Sequence, residues 1–205
     1  MGRIDAQPAL TARGTATRAR IVEAATGLVR AHGVANTSLD AVLAASNASK
    51  SQLYHYFADK DDLVLAVVQR QTECVLAAQE SLLKKFNSLA GLRRWRDALV
   101  ELSQKNDGAG GCPLGSLVPE LAESSARTRA LLAEGFKRWE AYLVAGFTMM
   151  RTRGELKPAA DPADLATAVL TALQGGLLLA QTMRSTRPLE LALDMALQHV
   201  VAKSR

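Results

Sequence analysis

TSLDAVLAASNASKSQLYHYFADKDDLV, residues 37–64, is the stretch on which the fold turns. Ser49 stands three residues before Gln52, the spacing of a capping box, and starts a helix at SKSQLYHYF. Asp59 and Asp62 repeat the arrangement and open a longer helix, with Asp61 and Asp62 suited to the positive end of its dipole. Thr37 with Asp40 makes a third start, for a short helix that turns Leu39, Val42 and Leu43 inward. Between the two short helices Asn47 holds the turn, because Asn tolerates left-handed backbone better than most residues. Leu53 and Phe57, four apart, share one face of the SKSQLYHYF helix and anchor it in a small core. Lys50, Ser51, Gln52 and His55 are polar and lie toward its exposed end or face. Tyr54 and Tyr56 diverge around it, and the sequence leaves open which ring packs inward.

Upstream, Ile21, Ala25, Leu28 and Val29 recur at helical spacing from Thr17, and Gly33 closes that helix. Residues 1–16, with Arg3, Arg13 and Pro8, read as a flexible basic arm. Short helices packed across one another in this way are the layout of a helix-turn-helix, which holds one short rod in the major groove while phosphate contacts fix the approach. Only that groove displays a different pattern for each base pair.

TRARIVEAATGLVRAHGVANTSLDAVLAASNASKSQLYHYFADKDDLV resembles the amino-terminal domain of the tetracycline-repressor family over residues 17–64. The resemblance lies in the joint spacing of HGVANTSLDAV, ASKSQLYHYF and DKDDL. It implies DNA-backbone contacts near Thr37, Tyr54, His55 and Lys60. It also implies base or groove contacts around Lys50, Ser51 and Gln52, with Ser49 counted among the DNA-binding residues as a cap whose neighbouring amides can contact the backbone. Two positions depart from the family pattern: Asn47 stands where Gly is usual, and Ser51 where a smaller Gly or Ala is common. GCPLGSL, at 111–117, resembles the lincomycin-resistance-type branch of these repressors, with Ser116 in place of the usual Asn.

Downstream of Val64 the pattern stays helical. Leu92, Trp95, Leu99 and Leu102 form one stripe, and DGAGGCPLG at 107–115 breaks the chain, since clustered glycine and Pro113 oppose helix. A short helix is expected around 116–123. Leu132, Phe136, Trp139, Leu143, Phe147 and Met150 keep spacings of three or four along a long helix. Ala166, Val169, Leu170, Leu173 and Leu177 lead another, and Leu189, Leu193, Leu197 and Val200 a last one after Pro188. The expected architecture is all-α: a three-helix DNA-binding domain over 17–64 and a larger helical ligand-binding and dimerisation domain over 65–205. The last two helices are the dimer candidates, with Ala166, Gly175, Gly176 and Ala180 small enough for close helix approach. Internal core packing is the alternative use of those residues. Trp95, Phe136, Trp139, Tyr142 and Phe147, with Gln174 as a polar contact, are the candidate lining for a small amphipathic or aromatic effector.

Composition agrees without deciding. Apolar residues make up 48% of the 205 and the formal charge is +5, which suits a polyanionic partner but does not identify one. Cys74 and Cys112 have no zinc-ribbon spacing, so neither a metal nor another cofactor is expected. A reduced, cytoplasmic setting follows, with no secretory core at the amino end and no later run clean enough to span a membrane. His32, His55 and His199 are far apart and no nucleophile–base motif is present, so an enzyme is not expected. The expected partners are double-stranded DNA with a two-fold-related operator and a second copy of the chain. A non-DNA adaptor or small-molecule-binding protein on the same fold is the competing reading.

Overall fold

A computed structural model describes residues 10–204, and within them the regular structure is helical apart from an isolated bridge between Leu156 and Ser204. The chain divides into two units, one ending at Arg70 and the other beginning at Gln71.

The first unit holds α1 (Ala12–His32), α2 (Leu39–Ser46), α3 (Lys50–Tyr56) and the start of α4 (Lys60–Leu83). Helix α1 begins five residues before the expected Thr17, because the Thr11 hydroxyl accepts the Gly14 amide at 3.1 Å and caps it. Residues 12–16 of the expected arm are therefore helix, and its residues 1–9 lie outside those described. Gly33, at φ 79°, ends α1 by donating its amide to the Val29 carbonyl at 2.8 Å. Helix α2 is capped by Ser38 and not by Thr37: the Thr37 hydroxyl is committed to the Gly33 carbonyl at 2.7 Å, while Ser38 Oγ accepts the Ala41 amide. Asn47 does adopt the left-handed turn, at φ 50°. Ile21, Val42 and Leu53 are fully buried, and each apolar side chain of this kind contributes about 1.5–3 kcal/mol on leaving water. Arg18 lays its guanidinium over the Phe57 ring, 5.2 Å from the centroid.

The second unit continues α4 and adds α5 (Leu89–Lys105), a 3-10 turn (Gly115–Leu117), α6 (Val118–Leu121), α7 (Ala126–Thr152), α8 (Pro162–Met183) and α9 (Arg187–Ala202). The break after α5 is a run of positive φ at Asp107, Gly108, Gly110 and Gly111. Phe86 meets Trp95 and Phe147 edge-on, with centroids 6.1 and 5.1 Å away, and the Trp95 indole donates to Gln79 Oε1 at 2.9 Å. Leu102, expected on the buried stripe of α5, is exposed near that helix's end.

Helices α7, α8 and α9 pack in sequence, and α8 against α9 is the most extensive pairing. Gly176 lies so close to α9 that a Cβ there would come within 2.9 Å of Leu189 Cα, and Ala166 and Ala180 are fully buried. Three of the four small residues assigned to a dimer contact thus serve packing inside one protomer; Gly175 alone faces open space. One further expectation is corrected: α8, 22 residues long, is apolar enough by length and composition to cross a membrane. Its apolarity is used in part within the unit, where Leu165, Val169 and Leu173 are buried. Leu178, Leu179 and Met183 remain exposed on it, as do Leu191 and Met195 on α9.

Candidate nucleic-acid interface and central cavity

Helix α3 is seven residues long, too short to persist alone, and two devices hold it. At its start, Ser49 Oγ accepts the Gln52 amide at 3.1 Å while Gln52 Oε1 accepts the Ser49 amide at 2.9 Å, the reciprocal box read from the sequence. On its inner side Leu53 and, at the C-cap, Phe57 are buried. With those positions locked, Lys50, Ser51, Gln52, Tyr54 and His55 are exposed to solvent. The two tyrosines are now allocated: Tyr56 is half-buried with its hydroxyl beside Gly14 of α1, whereas Tyr54 is 48% exposed and its hydroxyl is available outside.

The box restricts what Gln52 can read. A glutamine that recognises adenine bidentately uses both amide atoms, but Oε1 is already held by the Ser49 backbone. In this conformation Gln52 offers only N–H donors, which match acceptors such as guanine O6 and N7 or a phosphate oxygen. Thr37 stands apart from the other candidates: it is buried, and its hydroxyl braces the turn after α1, so its side chain does not reach the exposed surface. Lys60 is half-buried at the start of α4, which is capped by Asp59 Oδ1 accepting the Asp62 amide at 2.9 Å.

In the second unit a cavity of about 640 Å³ lies between α7, α8 and the segment from Cys112 to Pro119. Of the candidate effector residues, Phe136 and Gln174 lie on its wall. Trp95, Trp139 and Phe147 do not; they are fully buried core, Trp95 and Phe147 in the cluster around Phe86. Tyr142 is half-buried away from the lining. Large aromatic rings are drawn into the core by their area, which is why residue type misassigned them. The α8 wall instead consists of Thr167, Leu170, Thr171, Gln174, Gly175, Leu178 and Gln181, a helical-spacing stripe that was legible but unremarkable in sequence. Cys112 sits at the edge of this space with its sulfur accepting the Gly115 amide at 3.3 Å. Burial pushes its thiol up from the ordinary value, against the opposing pull of the Gly115, Gln174 and Leu114 donors. Among the described residues no group of three or more His, Cys, Asp or Glu is placed to hold a metal ion.

Comparison with known proteins matches both units. Residues 88–196 fit the model of the tetracyclin repressor-like C-terminal domain, and residues 21–67 that of bacterial regulatory proteins of the tetR family. The chain is 28% identical over 183 residues to the uncharacterized HTH-type transcriptional regulator Rv0196 of Mycobacterium tuberculosis, covering 85% of this chain and 89% of that protein. It is 26% identical over 182 residues to the regulator YxaF of Bacillus subtilis, covering 88% and 92%. The crystal structure of a TetR-family regulator from Cytophaga hutchinsonii superposes with a TM-score of 0.81 at 20% identity, over 96% of this chain and 98% of that one, and shows the same fold.

Proposed function

Because the chain belongs to the tetracycline-repressor family of transcriptional regulators, we propose that it is a repressor that reads a two-fold-related operator as a homodimer and releases it on binding a small amphipathic molecule. The observation that carries the reading is the state of α3: Lys50, Ser51, Gln52, Tyr54 and His55 are exposed on a helix that Leu53, Phe57 and the capping box hold rigid. Lys60 supplies phosphate contacts, with Tyr54 and His55; Lys50, Ser51 and Gln52 meet base edges or the groove. The net charge of +5 favours the encounter.

One such reader covers few base pairs, so two copies bind half-sites about 34 Å apart on one side of the duplex. The exposed apolar residues of α8 and α9, Leu179, Met183, Leu191 and Met195, support pairing through those helices. Release is a population shift. An effector in the cavity favours one packing of α7 and α8, and the change reaches the reader through α4, which runs unbroken from Lys60 to Leu83. The reading assigns no enzymatic activity, and places the protein in the cytoplasm. The lincomycin-resistance-type branch is its finer placement, supported by the Gly111-Cys112 and Gly115 segment.

Footprinting on the DNA that flanks the chain's own coding sequence tests the proposal, in about 50 mM and 200 mM salt. A protected pair of symmetric half-sites is expected. Lys50→Ala, Gln52→Ala and His55→Ala together abolish the protection without unfolding the protein, with a modest loss of stability from the broken Ser49–Gln52 box. Binding to random DNA as tight as to the flanking region would leave the adaptor reading in its place.

A further inference from the structure

The cavity lining carries one charge. Among the described residues, Glu140, on α7, is the single ionisable acid or base that lines the space besides the Cys112 thiol, and no described Lys, Arg or His does. Phe136 lies one helical turn before it and lines the same cavity, so an aromatic ring and a carboxylate stand side by side. Thr167 of α8 donates to Glu140 Oε1 at 2.5 Å, which fixes the carboxylate against that wall and leaves its second oxygen to a ligand. On the same α8 wall the Gln174 Nε2 atom is buried without a well-formed hydrogen bond; the Cys112 sulfur beside it is a weak acceptor. The remainder of the lining is mostly apolar, with Val118, Leu170 and Leu178 among it.

We infer that the effector is a cationic amphiphile: an apolar body of aromatic-ring size carrying a protonated nitrogen that seats between Glu140 and the Phe136 face. An oxygen or ring-nitrogen acceptor on the same molecule satisfies Gln174. The physics is one of exclusion as much as attraction. A carboxylate or sulfonate entering this space gives up part of its hydration and meets Glu140 with no basic group among the described lining residues to balance it. A cation meets a fixed carboxylate and the negative face of a ring. This inference rests on the reading of the cavity as the effector site.

Three size-matched probes separate the two: 1-naphthylmethylammonium, 1-naphthylmethanol and 1-naphthoate, titrated calorimetrically into the full-length protein at neutral pH. The ammonium is expected to bind about tenfold tighter than the alcohol, and the carboxylate about tenfold weaker than the alcohol or not at all. Glu140→Gln keeps the size and an acceptor for Thr167, and brings the ammonium to within about twofold of the alcohol while leaving the alcohol unchanged. Thr171→Trp, on the cavity wall, fills the space and removes binding of all three. If the alcohol binds and Thr171→Trp abolishes it, yet the ammonium has no advantage or keeps it in Glu140→Gln, the charge inference fails and the cavity remains the effector site. If no probe binds, or binding survives Thr171→Trp, the effector-site reading fails and the charge inference with it.

Discussion

Replacing Gln52 by Glu separates the two tasks of that side chain. Its Oε1 holds the Ser49 amide at 2.9 Å, and a glutamate oxygen does the same at the third position of a helix, where a negative charge also suits the dipole. Stability should therefore change by no more than about 0.5 kcal/mol, in either direction. Ser49→Ala is the contrast: it removes the acceptor that holds the Gln52 amide at 3.1 Å and costs about 1 kcal/mol in a helix only two turns long. For DNA the order reverses. Gln52→Glu loses the outward N–H donors and turns a negative charge toward the phosphates, a loss of about 1–3 kcal/mol, or roughly 5- to 150-fold in affinity. The assay pairs urea unfolding of both variants with titration of the footprinted DNA at fixed salt. Wild-type affinity in Gln52→Glu would remove Gln52 from the interface. Destabilisation of Gln52→Glu equal to that of Ser49→Ala would show that the box does not hold α3 as described.

Gly146→Ala should destabilise by about 1–3 kcal/mol in urea unfolding, despite the ~1 kcal/mol that Ala gains over Gly within a helix, because the new methyl would collide with the Phe86 carbonyl oxygen and ring. An unchanged midpoint would mean that α7 moves freely away from that turn. Gln79→Leu should cost about 1–3 kcal/mol by leaving the buried Trp95 indole N–H without its acceptor, and adding Trp95→Phe should recover the hydrogen-bond part of that loss; no recovery would assign the cost to packing. Iodoacetamide near neutral pH should label exposed Cys74 well before Cys112, whose thiol is buried and pushed up. As pH rises above the ordinary thiol range the unfolded chain loses the Cys112 proton first, so stability should fall there, and less steeply in Cys112→Ala; parallel slopes would refute the assignment.

Local chemistry made much of the first unit readable. A capping box is written in two residues three apart, and Ser49 with Gln52 forms one; Leu53 and Phe57, four apart, are the buried pair. Even there a choice between neighbours escaped the sequence, since Thr37 and Ser38 are equally good caps until the Gly33 carbonyl claims the Thr37 hydroxyl. In the second unit the helices and the break at 107–111 followed from periodicity and glycine, but the use of each face did not. Helical spacing marks a residue as apolar-facing without saying whether the facing volume is filled. Trp139 and Phe136 lie three apart on α7, one fully buried and the other on a cavity wall. Which space stays empty depends on how α7, α8 and the Cys112–Pro119 segment meet, and that is settled by packing among residues distant in the chain.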